Sequence, residues 1–134
     1  MHIYIGGAHN GKRAYVKKRL ASRESEWFDG NLPDGKDAEN SDRVLVLAGL
    51  EKWLATVDLS EEEAIAQVME VILNREVILI LTDIGRGIVP IDGKQRQLRD
   101  TCGRLYQRLI DEAEEVTRIW YGIPQILKKR GEGR

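Results

Sequence analysis

The chain has 134 residues, of which 42% are hydrophobic and 32% charged, and its 21 Lys+Arg against 22 Asp+Glu give a formal net charge of −1. That size suits a single domain, 1–134, and the composition excludes disordered and collagen-like chains and gives no reason to expect nucleic acid or an anionic membrane as partner. A lone cysteine, Cys102, excludes an internal disulfide, and with only His2 and His9 besides, a zinc cage built by the protein alone is not expected.

Ile3-Tyr4-Ile5 is a short strand candidate, and the glycine-rich turn Gly6-Gly7-Ala8-His9-Asn10-Gly11 follows it. MHIYIGG has no basic region ahead of its apolar run, so it does not read as a signal peptide. No apolar run approaches the roughly 20 residues that span a bilayer, and the expected location is the cytoplasm. Tyr15, Val16 and Leu20 are spaced for a helix from about Lys12 to Ser22. Residues 22–43 are polar, with Asp-Gly twice and a proline, and are expected to form a long surface loop anchored by Trp27-Phe28.

Val44 to Leu47 is a continuous apolar run that fits a strand buried on both faces. Leu50 to Val57 reads as a short helix with Trp53 and Leu54 inward. Ser60 and Glu63 form a capping box ahead of a helix that puts Ile65, Val68, Met69 and Ile72 on one face. The acidic cluster Glu61-Glu62-Glu63 suits the positive end of that helix, a structural role. Val77 to Leu81 is a second apolar strand, ending in Thr82-Asp83, and the loop 83–90 leads to a helix over 95–113. Its inner stripe is Leu98, Cys102, Leu105 and Leu109, where Cys102 reads as a small core residue. Gly103 costs about 1 kcal/mol relative to alanine inside a helix, which implies close packing or a ligand near the backbone. Arg99, Asp100, Arg104 and Arg108 read as a polar face with local ion pairs. Val116 to Tyr121 is the final predicted strand, stopped by Gly122 and Pro124, and 128–134 is expected to be a flexible basic tail.

Apolar strands that alternate with amphipathic helices predict an α/β fold: a mostly parallel sheet with helices on both faces. Ligands of such sheets bind beyond the carboxyl ends of the strands. Residues 6–12, 48–50 and 83–90 all fall there.

Gly6-x-x-x-x-Gly11-Lys12 between a strand and a helix is the pattern of a phosphate-binding P-loop. Its backbone amides and the helix N-terminus attract phosphate, and Lys12 adds a full positive charge. The candidate nucleotide-binding residues are Gly6, Gly7, Ala8, His9, Asn10, Gly11, Lys12 and Arg13, with Lys12 also a candidate catalytic group. The motif normally continues with Ser or Thr, whose hydroxyl binds magnesium. Here it continues with Arg13, which cannot coordinate a cation but can offer further contacts to phosphate. Asp83 is the one strand-end acid in a place to hold a metal or organise water; the alternative is a turn-forming Asp ahead of Gly85. His9 is a candidate for phosphate contact or transfer, against a solvated loop histidine. His2 is expected at the surface.

Gly6-Gly7-Ala8-x-x-Gly11-Lys12, Gly85-x-Gly87-Ile88-Val89-Pro90, Arg99-Asp100-x-x-Gly103-Arg104-Leu105-x-Gln107-Arg108-Leu109, Glu115-Val116 and Gly122 together resemble the CobU-type adenosylcobinamide kinase/adenosylcobinamide-phosphate guanylyltransferase family. The likeness runs in order from about Val77 to Lys128 and, at the N-terminus, is confined to the P-loop. It implies a shortened RecA-like P-loop domain, a homotrimer, GTP or ATP as bound nucleotide, magnesium, and a role in cobalamin biosynthesis. Members phosphorylate the aminopropanol hydroxyl of adenosylcobinamide, a corrinoid, and then attach GMP from GTP through a guanylylated histidine.

Several positions depart from the family. Arg13 replaces the P-loop Ser, Ala48 falls where an acid follows the Walker-B-like strand, and Tyr106 stands in place of Asn. The interval 22–43 has no histidine to accept GMP, which leaves His9 or His2 as substitutes. Asp83 retains an acid where the family has Glu. The expectation is nucleotide binding with kinase-type phosphoryl transfer open and guanylyl transfer lost. The alternatives are a non-catalytic binding or regulatory subunit that keeps the fold and oligomer contacts, and an unrelated small P-loop kinase.

Overall fold

The computed structural model describes residues 1–7, 11–33, 42–73, 75–83 and 93–129. The elements in chain order are β1 (His2–Gly6), α1 (Lys12–Arg19), β2 (Ser25–Asp29), β3 (Val44–Ala48), α2 (Leu50–Thr56), α3 (Glu61–Leu73), β4 (Val77–Thr82), α4 (Gly93–Glu112), β5 (Glu115–Trp120) and β6 (Ile123–Lys129). The strands form one six-stranded sheet in the order β2-β3-β4-β1-β5-β6. Every pairing is parallel except β5 with β6. The expected α/β architecture is therefore present, with β1 in the interior of the sheet.

Alternating strand residues divide the interior into two layers. Ile3, Leu45, Leu47, Leu79 and Leu81 face α2, α3 and α4, whose Leu50, Trp53, Val68, Leu105 and Leu109 complete that side. Tyr4, Val44, Val46, Ile78, Ile80 and Ile119 face α1 through Val16 and Leu20. β3 and the first five residues of β4 are buried on both faces, as their unbroken apolar runs require.

Local signals explain the helix ends. The capping box forms as read: the Glu63 N–H donates to Ser60 Oγ at 3.1 Å and the Ser60 N–H to Glu63 Oε1 at 3.2 Å. α1 is shorter than its pattern predicted. It stops at Arg19, where the Leu20 N–H still donates to the Val16 carbonyl, and Lys17, Lys18 and Arg19 stand at its negative end. The Arg104 side chain pairs across to Glu61 on α3 at 2.6–2.9 Å instead of along its own helix.

Three expectations need correction. The segment 22–43 is not loop throughout, since Ser25–Asp29 forms the edge strand β2, parallel to β3. Its anchor is what Trp27 and Phe28 were expected to provide, but as adjacent strand residues they serve opposite faces of the sheet, one in each layer. Residues 34–41 lie outside the described residues. The chain also does not end its sheet at β5. Tyr121 and Gly122, with φ of 49° and 75°, make a two-residue turn of the type that suits hairpins, and β6 returns antiparallel. Pro124 is tolerated because β6 is an edge strand. The expected tail thus begins inside β6, where Lys128 Nζ donates to the Ile110 and Asp111 carbonyls at 2.9 and 3.0 Å, near the end of α4. Lastly, His2 is partly buried, its ring stacked on Tyr4 at 4.2 Å and within 2.9 Å of Thr117 Oγ1. Burial lowers its pKa, opposed by the Glu115 carboxylate 3.3 Å away.

Candidate functional site

β1 delivers Gly6 and Gly7 to the carboxyl edge of the sheet, and Gly11, with φ 82°, is the N-cap of α1. Ala8, His9 and Asn10 lie outside the described residues. Lys12 is only 6% exposed, and its Nζ donates to the Gly7 carbonyl at 2.6 Å. The ammonium therefore lies against the backbone of Gly7, just past the carboxyl end of β1. Burial, reinforced by Arg13, lowers its pKa, and Glu51 opposes this.

Arg13 reaches the end of β2 with one edge of its guanidinium. Its Nη2 lies 3.0 Å from Asp29 Oδ2 at the end of β2, and Lys52 Nζ is 3.8 Å from the other oxygen of the same carboxylate. Asp29 sits opposite Ala48 in the β2–β3 register. Gly49, in the left-handed region at φ 68°, lets the β3–α2 turn come against it: a Cβ there would press into Asp29 Oδ1 and the Gly30 N–H.

Asp83 follows β4, and its N–H donates to the Gly6 carbonyl at 2.8 Å. It lines a cavity of about 410 Å³ with Gly6, Gly7 and Arg118. It also lines one of about 500 Å³ with Arg99, Gly103, Arg104, Tyr106 and Gln107. The structure thus brings Asp83 to the glycine-rich turn, as the sequence placed it; the rest of its loop, 84–90, is outside the described residues. Gly103 opens onto the larger cavity, with nothing within 4 Å of where its Cβ would stand among the described residues. Among the described residues nothing packs closely against it.

Sequence reasoning missed Asp29 and Glu51. Asp29 could be found only by recognising β2. Glu51 lies in the first turn of α2, and its Oε2 is 3.4 Å from the Tyr106 hydroxyl, which donates to the Thr82 carbonyl at 3.1 Å. Glu51, just past the end of β3 and two strands from β1, raises the Lys12 pKa against the effect of burial. His2 starts β1 and Gly6 ends it, so roughly 13 Å of strand separates that histidine from the turn. His2 is not placed to accept a transferred group there. Among the described residues no cluster of three His, Cys, Asp or Glu is placed to hold a metal.

Cys102 is fully buried in the layer under α4, as the stripe predicted, and burial pushes its pKa up to about 11. A thiol without thiolate or access is inert. Ellman's reagent is expected to leave the native protein unmodified and to titrate one thiol after denaturation. Rapid native reaction would place Cys102 outside the core.

No helix among the described residues is long and apolar enough to cross a membrane. The family model described as cobinamide kinase / cobinamide phosphate guanyltransferase matches residues 16–127. The chain is 26% identical to the bifunctional adenosylcobalamin biosynthesis protein CobP of Pseudomonas aeruginosa, over 92% of this chain and 77% of that protein. It is 42% identical to the bifunctional adenosylcobalamin biosynthesis protein CobU of Salmonella typhimurium over 48 residues, 36% of this chain and 26% of that protein. The family match begins within α1 and ends within β6, so β1 and the glycine-rich turn precede it. By that span, the chain belongs to the cobinamide kinase / cobinamide phosphate guanyltransferase family.

Proposed function

We propose that this chain acts in cobalamin biosynthesis and binds the triphosphate of GTP or ATP at Gly6–Arg13. Its family and the names of its relatives support the first part. The observation that carries the second is Lys12, a buried ammonium that donates to the Gly7 carbonyl at the N-terminus of α1. A buried cation loses hydration, and a polyphosphate at the helix N-terminus is a ligand that would offset that loss beyond what the Gly7 carbonyl and Glu51 provide. In this reading Gly6, Gly7, Ala8, His9, Asn10 and Gly11 wrap the phosphates, and Asp83 orients the acceptor or its water. The acceptor class is a corrinoid of the adenosylcobinamide type, and the cavity beside Asp83, Arg99 and Gln107 is where its polar arm would lie. Kinase-type phosphoryl transfer remains within the chemistry of these residues. Guanylyl transfer is not part of the proposal: the interval 22–43 has no histidine and His2 stands at the far end of β1, which leaves His9 alone as an acceptor.

A homo-oligomer, trimeric by resemblance, is part of the proposal. Trp120, Tyr121, Ile123, Ile126 and Leu127 are 54–74% exposed and together form an apolar edge of the kind that marks an interface. A second reading, a non-catalytic subunit that keeps fold and assembly, is favoured by Ala48, which leaves no acid at the end of β3.

Calorimetric titration of the protein with GTP and with ATP tests the reading. Saturable binding of either, competed by inorganic triphosphate, is the expected result. Absence of binding by both would sink the nucleotide reading and leave the assembly role.

A further inference from the structure

The first turn of α1 carries a charge arrangement that the nucleotide reading does not by itself explain. In a P-loop the residue after the lysine supplies a hydroxyl to magnesium, and a strand-end acid completes the hold on the ion. Magnesium demands oxygen donors in near-octahedral array. At the corresponding places this chain has Arg13 and Ala48. Across from Ala48 in the β2–β3 register stands Asp29, and its carboxylate engages two cations, Arg13 at 3.0 Å and Lys52 at 3.8 Å. A divalent ion brought to that carboxylate would have to displace a guanidinium and an ammonium. The residues do not fit magnesium on the α1 side of the site.

They do fit a fixed organic cation. The Asp29 carboxylate lies close to the β3–α2 turn, where Gly49 leaves room for it, and it holds the Arg13 guanidinium at 3.0 Å. Arginine is planar, always charged, and carries five N–H donors. With one edge of the guanidinium on Asp29, the remaining donors suit phosphate oxygens. Arg13 is the residue directly after Lys12, so both cations belong to the same turn of helix.

We infer that Arg13, positioned by Asp29, stands in for the divalent cation, so that the chain binds polyphosphate without magnesium. The inference rests on the reading of Gly6–Arg13 as a polyphosphate site. Kinase-type transfer, if it occurs here, would then draw its charge stabilisation from Lys12 and Arg13.

The test is calorimetric titration with inorganic triphosphate and with GTP, in excess EDTA and in excess magnesium, on wild type and Arg13→Ser. Circular dichroism confirms that the variant is folded; Arg13 is an exposed helix residue and its loss leaves the core intact. Wild type is expected to bind within about threefold of the same affinity in both conditions. Arg13→Ser is expected to lose roughly 30-fold in EDTA, the scale of a charge-assisted contact, and to regain most of it with magnesium once a hydroxyl is available. Wild-type binding that requires magnesium would overturn the inference while leaving the nucleotide reading intact. Equal binding by wild type and Arg13→Ser in EDTA would overturn the role of Arg13. No binding in either condition would overturn both the inference and the reading beneath it.

Discussion

Replacing Gly6 with alanine is expected to lower stability by about 3 kcal/mol, near the upper end of the cost of overfilling a packed site. For a chain of this length that corresponds to a fall in Tm of roughly 10 °C. Gly6 ends β1, the strand held between β4 and β5, and a Cβ there would stand inside 3.0 Å of the Ile119 carbonyl oxygen. The obstacle is backbone, so it cannot swing aside as a side-chain tip would. Relief requires β1 and β5 to separate, and that strains the register in which Gly6 lies opposite Thr82 and accepts the Asp83 N–H. Gly103→Ala supplies the opposite sign. Its Cβ meets nothing within 4 Å among the described residues, and alanine in a helix interior stabilises by about 1 kcal/mol over glycine. Urea unfolding of the two variants beside wild type measures both. A Gly6→Ala protein as stable as wild type would mean that the β1–β5 approach is looser than described.

What could be read in advance followed how each residue type signals its surroundings. β3 and β4 are interior strands, and burial on both faces leaves an unbroken apolar run that no other element of this length produces. The Ser60–Glu63 box and the α4 stripe are equally local: the residues that make the contact lie three or four apart. β2 and β6 are edge strands, half-buried or exposed, so their sequences answer mostly to solvent. SEWFD looked like loop, and IPQILKK looked like a stop followed by a tail. The site divides the same way. Lys12 and Asp83 were visible because motif spacing and a strand end place them. Asp29 was hidden with β2, and Glu51 acts on Lys12 only through the sheet order that sets β4 between β3 and β1, which a linear pattern does not carry.

Lys12→Met is expected to separate binding from folding. The lysine is 6% exposed, its pKa is lowered chiefly by burial, and among the described residues its ammonium donates to the Gly7 carbonyl. Methionine keeps the aliphatic length and removes the desolvated charge, so Tm is expected to hold or rise. Affinity for inorganic triphosphate or GTP is expected to fall roughly 100-fold, about 3 kcal/mol, the upper range for a hydrogen bond to a charged group. The same charge sets a pH signature. A lysine with a lowered folded-state pKa binds fewer protons folded than unfolded between that lowered value and its ordinary one. Free-protein stability therefore gains from this group as pH rises through that window. A bound polyphosphate favours the ammonium, so the complex takes up a proton in the same window and affinity falls as pH rises. Calorimetry in two buffers of different ionisation enthalpy reads that uptake directly, and Lys12→Met is expected to abolish it. If Lys12→Met instead binds as wild type does, with proton uptake unchanged, the buried ammonium serves only to brace the Gly7 carbonyl, and the turn is a structural joint between β1 and α1.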